Sequence, residues 1–92
     1  MIKTFAHKGL EDFFYTGSKK GIRPEHASKL ERILDRLNAA GDVRDMNYPG
    51  SLLHRLSGDK KGQYAVRVSG NRRMFFEFIN GDAYIVDYDD SH

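Results

Sequence analysis

The chain has 92 residues, enough for one domain with a modest core, and its 15 basic and 13 acidic residues leave a net charge of only +2. The absence of cysteine excludes a disulfide framework and thiolate chemistry and points to a reducing compartment. No apolar run approaches the roughly 20 residues of a membrane span and no signal-peptide core opens the chain, so a cytoplasmic protein without a membrane partner is expected.

Taken in order, residues 2–6 (IKTFA) alternate as a short edge strand does. Residues 7–16 place Leu10, Phe13 and Phe14 at helical spacing, and Gly17 stands where a helix stop belongs. A polar, basic connection over 18–23 leads to Pro24, which suits a first helical position. The longer helix it opens carries Ala27, Leu30, Ile33, Leu34 and Leu37 as one apolar stripe and ends at Gly41. Its other side, with Lys29, Arg32, Asp35 and Arg36, is the solvated face of that helix. Residues 42–51 read as irregular, turn at Pro49-Gly50, and deliver the chain to a loop holding His54.

Three strands follow. Tyr64, Val66 and Val68 alternate with polar or small neighbours, as do Met74, Phe76 and Phe78. A three-residue loop, Ser69-Gly70-Asn71, pairs Val68 with Arg72, Val66 with Met74 and Tyr64 with Phe76, which keeps the apolar sets on one face. Arg67 then stands directly opposite Arg73 on the other face. Like charges across a ladder are destabilising. Either the pair is splayed into solvent, or an anion sits between two guanidinium forks that suit phosphate oxygens.

Asn80-Gly81 is a strong two-residue hairpin signal, and residues 83–88 (AYIVDY) form the next strand. That turn would put Tyr88 opposite Arg73 on the arginine face, with Asp89, Asp90, Ser91 and His92 running on toward His54. The fold class is therefore α+β: an N-terminal strand and two helices packed on an antiparallel sheet with a C-terminal three-strand meander, residues 1–92 forming one domain.

Charge is unevenly spread. Between His54 and Phe75 the basic residues Arg55, Lys60, Lys61, Arg67, Arg72 and Arg73 face Asp59 alone, whereas from Glu77 onward there are five acids and no Lys or Arg. A basic stretch with phosphate-capable arginines suggests a nucleic-acid partner, with Arg55, Lys60, Lys61 and Arg67 as RNA contacts. No H-x-x-x-H or comparable spacing indicates a metal, and no cofactor is expected. His7 and His26 read as polar surface residues.

Three pieces of the sequence carry a family resemblance: the run Leu53-x-x-Leu56-x-Gly58-x-x-x-Gly62-x-x-x-Val66, the strand Arg73-Met74-x-Phe76, and FINGDAYIVDY before a terminal histidine. With the opening MIKTFAHKGLEDFF, they resemble the HigB-type toxins of the RelE/ParE superfamily over nearly the whole chain. The resemblance implies a RelE-like fold and a metal-independent, ribosome-dependent endoribonuclease, an mRNA interferase that cuts messenger RNA in the 30S A site beside 16S ribosomal RNA and so arrests growth. It also implies a helix-turn-helix antitoxin, HigA-like, through whose complex alone the chain would meet operator DNA. Carried over by position, the catalytic residues are His54, Arg73, Asp90 and His92. Ser57 replaces a lysine and Ser91 a tyrosine of close relatives, for which Lys60 or Lys61, and Tyr88, are the substitutes in this chain. A gyrase-directed toxin similar to the ParE branch and a non-catalytic RNA- or ribosome-binding module are the alternatives.

Overall fold

The structure, a computed structural model, describes residues 1–58 and 62–90, with Asp90 described by its backbone alone. Lys60, Lys61 and His92, together with the departures at Ser91, lie outside the described residues.

Helix α1 spans Lys8–Thr16. Its first turn is closed by His7, whose Nδ1 accepts the Leu10 N–H at 2.9 Å, a capping role that removes His7 from the idle surface. Gly17 ends the helix at φ 79°, returning its N–H to the Phe13 carbonyl at 2.9 Å. The connection to the next helix crosses α1 with backbone against backbone. A Cβ placed on Gly9 would lie 2.6 Å from Gly21 Cα, so both positions need the missing side chain.

Pro24 starts a 3-10 turn, Pro24–His26, that winds into α2, Ala27–Ala39. Proline has no N–H to lose at a helix start and its φ is already suitable. The chain leaves the helix at Ala40, one residue before the expected stop at Gly41. The Asp45 carboxylate then accepts the N–H groups of Gly41 and Asp42 at 3.0 and 3.2 Å, and Asp42 caps Arg44 N–H in return at 2.8 Å. This capping box orders a second 3-10 turn, Val43–Met46, inside the stretch expected to be irregular, and buries Met46.

The sheet has four strands in the order β1-β2-β3-β4: His54–Arg55, Gln63–Ser69, Arg72–Ile79 and Asp82–Asp90, all antiparallel. His54 is thus on a short edge strand, not in a loop. Leu10 and Phe13 of α1 and Leu30, Ile33, Leu34 and Leu37 of α2 bury the sheet face formed by Val66, Val68, Met74, Phe76, Val86 and Tyr88. The helices cover one face, as the patterning requires. The N-terminal strand is reduced to two parallel bridges with β4, Ile2 to Ala83 and Phe5 to Val86.

Two bulges set the register. Val66, Tyr64 and Arg67 pair with Met74, Phe76 and Arg73 as expected, but Ser69 rather than Val68 pairs with Arg72. The turn is the two-residue Gly70-Asn71, and Val68 is the extra residue that restores the apolar face. On β4, Phe75 pairs with Asp87 and Glu77 with Tyr84, so Ile85 and Val86 together oppose Phe76. Ile85 takes φ 48° there, and its N–H turns out to Thr4 Oγ1 at 2.7 Å, which explains why the N-terminal segment bridges β4 on either side of this point. From the bulge onward every β4 residue is displaced by one: Tyr88 pairs with Met74 and Asp89 with Arg73.

Candidate active site

The uncovered sheet face has two rows. His54, Ala65, Phe75 and Asp87 stand side by side across β1 to β4, and next to them Arg67, Arg73 and Asp89 stand across β2 to β4. With strands about 4.8 Å apart and about 6.8 Å per residue pair along a strand, the His54 and Arg73 backbones are about 12 Å apart.

His54 is exposed, and its Nδ1 lies 3.1 Å from the Leu52 carbonyl oxygen. A carbonyl only accepts, so this contact places the proton on Nδ1 and leaves Nε2 of the neutral ring as an acceptor, the form a general base needs. The geometry depends on Leu52, which holds φ 49°, an unusual conformation for a residue with a branched side chain. Ser51 before it is wholly buried and takes the Arg67 N–H on its carbonyl at 2.7 Å, which ties this turn to β2.

Arg67 is exposed while Arg73 is partly buried. Nη1 of Arg73 is shielded from solvent and has no hydrogen-bond partner among the described residues. A buried guanidinium N–H without an acceptor costs about 1–3 kcal/mol or more for a charged group, and a turn of this side chain out to the open face, onto an anion, removes that cost. Phe75, half-buried between Ala65 and Asp87, offers a flat apolar floor beside the pair.

Two of the residues expected to contact RNA are elsewhere. Tyr88, expected opposite Arg73, is 2% exposed on the helix side, opposite Met74. Its hydroxyl hydrogen-bonds His26 Nδ1, the rings of His7 and His26 meet it edge-on with centroids at 5.6 and 5.9 Å, and Arg72 lies over its face at 4.9 Å. Burial pushes the Tyr88 phenol above its ordinary value, the nearby Arg72 opposing that shift. Neither histidine is a free surface group. Arg55, expected among the RNA contacts, pairs with Tyr64 and so turns to the opposite side from His54, donating to the Tyr64 hydroxyl at 3.2 Å.

Asp87 and Asp89 are the acids the face acquires instead, and the sequence held a signal for them. Strict alternation from Ala83 would carry Asp87 into the core, where a carboxylate is costly; the adjacent Ile85 and Val86 mark where the alternation breaks. Asp90, expected to gather with His54 and Arg73, is opposite Arg72 in the ladder, one position past the row of Arg67, Arg73 and Asp89, because the bulge moves every later β4 residue by one. Among the described residues no three His, Cys, Asp or Glu cluster as metal ligands do, and no helix is long and apolar enough to cross a membrane.

Residues 3–92 match the family described as the RelE-like toxin of type II toxin-antitoxin system HigB. The chain is similar to Endoribonuclease HigB of Proteus vulgaris, with 38% identity over the full length of both chains, and to Toxin HigB-1 of Vibrio cholerae serotype O1, with 31% identity over 90% of each. Its fold is similar to one in the YoeB-YefM complex from Staphylococcus aureus, with a TM-score of 0.64 over 100% of this chain and 95% of that one, at 16% identity. The chain belongs to the HigB-like family, the RelE-like toxins of type II toxin-antitoxin systems.

Proposed function

We propose that this toxin is a metal-independent endoribonuclease that cuts messenger RNA on the ribosome, residues 1–92 acting as one domain. The observation that carries the reading is the Arg67–Arg73 pair, with its shielded and unpartnered Nη1, on the same sheet face as a histidine whose Nε2 is free to accept. The name of the Proteus vulgaris relative, Endoribonuclease HigB, supports it.

RNA supplies its own nucleophile. A general base takes the proton of a ribose 2′-OH, the oxygen attacks the adjacent phosphorus, the 5′ oxygen leaves with a proton from a general acid, and a cyclic phosphate results. His54 through Nε2 and His92 are the pair that exchanges these protons, each contributing about 10²- to 10⁴-fold. Arg73, with Arg67 opposite, holds the phosphate and the charge that builds on its equatorial oxygens. Asp90, the acid that the resemblance names, is in register with Arg72 and not with Arg73, and its part in orienting an imidazole or serving as base is carried over from the family alone. Lys60 or Lys61 supplies the cation of the lysine that Ser57 replaces. As the toxin of a type II system the chain has an antitoxin partner, here a helix-turn-helix protein whose complex carries operator specificity.

Primer extension on a defined message in a purified translation system tests this, using wild type, His54→Ala and His92→Ala with and without ribosomes. Ribosome-dependent cuts that fall at least 100-fold in both variants are expected. No cuts, with growth still arrested, would move the assignment to a gyrase-directed or purely binding toxin.

A further inference from the structure

Of the six phenylalanines in the chain, Phe75 is the one the core does not use. Phe13 and Phe76 are part of the core and Phe5, Phe14 and Phe78 pack against it, whereas Phe75 stands on the sheet face that the helices leave uncovered. It pairs with Ala65 on one side and Asp87 on the other. Ala65 is fully buried although it shares this face, so the larger side chains around it close over it. Phe75 is only half-buried, and its ring reaches the surface.

Charge changes sign at this ring. Two residues back along β3, about 7 Å away, Arg73 stands opposite Arg67. Past the ring the same face carries Asp87 and Glu77, and β2, β3 and β4 place no Lys or Arg there. An RNA strand with one phosphate between the arginines is repelled if its next phosphate runs over two carboxylates. A neutral base is not.

The Asp87 carboxylate is already oriented. Its Oδ1 accepts the Tyr88 N–H at 2.8 Å, which leaves Oδ2 to accept from a ligand. An ionised carboxylate only accepts. It matches the exocyclic amino group of cytosine, adenine or guanine and opposes O4 of uracil, which is itself an acceptor.

We infer that Phe75 and Asp87 form a nucleobase site beside the cleavage centre, the ring stacking on a base next to the phosphate held by Arg67 and Arg73, and the carboxylate selecting a base that bears an amino group. Stacking on a ring tolerates any base, so the discrimination falls to Asp87. Phe75 is engaged in the free chain, and the base shares or displaces that contact. The choice of RNA rests on the function proposed above; the placement of the ring, the carboxylate and the arginines does not.

Single-turnover cleavage on programmed ribosomes tests this, with messages that carry C or U at either nucleotide flanking the cut. The two pyrimidines have the same size and differ by an amino group against a carbonyl, so their ratio reads the polar edge. Wild type is expected to favour C over U about tenfold at one of the two positions, the usual worth of a matched polar edge. Asp87→Asn has an amide that both donates and accepts and can still take the Tyr88 N–H. It is expected to narrow the ratio to about 2-fold by raising the rate on U. A merely structural role would lower both rates together. Phe75→Leu is expected to slow cleavage of every message by about 5- to 50-fold, and Phe75→Tyr, which keeps the ring, to recover most of the loss. Urea midpoints check that both variants fold, and the Asp87→Asn ratio stands without them. Wild-type cleavage with no C-over-U preference at either position, an unchanged ratio in Asp87→Asn, or a folded Phe75→Leu that cuts as wild type does would overturn the inference and leave the ribonuclease reading standing. No cut by wild type on any message would sink that reading and this inference with it.

Discussion

Asp89 stands opposite Arg73 across β3 and β4 because Ile85, four residues earlier, takes φ 48° and adds one residue to β4. Without that bulge Tyr88 would occupy the place of Asp89, and Asp87 would face the helices. One strained residue therefore decides which side chains meet the arginine pair.

The bulge makes a stability prediction. A left-handed conformation costs a branched residue about 1–2 kcal/mol, which Ile85→Gly relieves, while added chain entropy and lost contacts of a side chain already 40% exposed take back a similar amount. The net change expected in urea unfolding is within about 1 kcal/mol, against about 2–4 kcal/mol for Val86→Gly at the fully buried neighbouring position. Deleting residue 85 would drive Asp87 toward the core and is expected to abolish cooperative unfolding.

Arg73→Met is expected to lower single-turnover cleavage on ribosomes by about 10²- to 10³-fold, the usual loss on removing a donor aimed at transition-state charge. Arg73→Lys recovers only part of this, since an ammonium lacks the planar fork. Arg55→Ala, whose guanidinium serves Tyr64 on the other side of the sheet, is expected to change the rate by less than about 3-fold, within the reach of a surface contact.

Alkaline pH tests the buried phenols. Burial raises the Tyr88 and Tyr48 hydroxyls above the ordinary 10.0, with Arg72 and Arg36 respectively opposing. A raised value means that the folded state holds the proton more tightly. The stability they contribute is therefore complete below pH 10.0 and is lost as pH rises through the folded-state values. Melting curves between pH 8 and 11 should show a decline above about 10 that is shallower in Tyr88→Phe and shallowest when Tyr48→Phe is added.

Gly9→Ala would place a methyl 2.6 Å from Gly21 Cα. Alanine gains about 1 kcal/mol in helix propensity, but a backbone-to-backbone overlap costs about 1–3 kcal/mol, and the crossing cannot move without shifting Ile22 and the start of α2. Net destabilisation of about 1–2 kcal/mol is expected from denaturant midpoints.

The amino-acid sequence alone determined the two helices, the antiparallel pairing around Arg67 and Arg73, and the family, because these rest on local periodicity and on contiguous motifs. Leu30, Ile33, Leu34 and Leu37 announce a buried helix face at any distance from their partners, and Tyr64, Val66, Met74 and Phe76 align through a short turn. What only the tertiary structure decided depends on single-residue offsets and on groups far apart in the chain. The Ile85 bulge exchanged Tyr88 for Asp89 beside Arg73, the two-residue β1 put His54 in register with Ala65, and His7 and His26, 81 and 62 positions from Tyr88, came to enclose its ring. Periodicity carries no information about an inserted residue until the cost of burying Asp87 is weighed, and a pairing between distant side chains has no local signature at all.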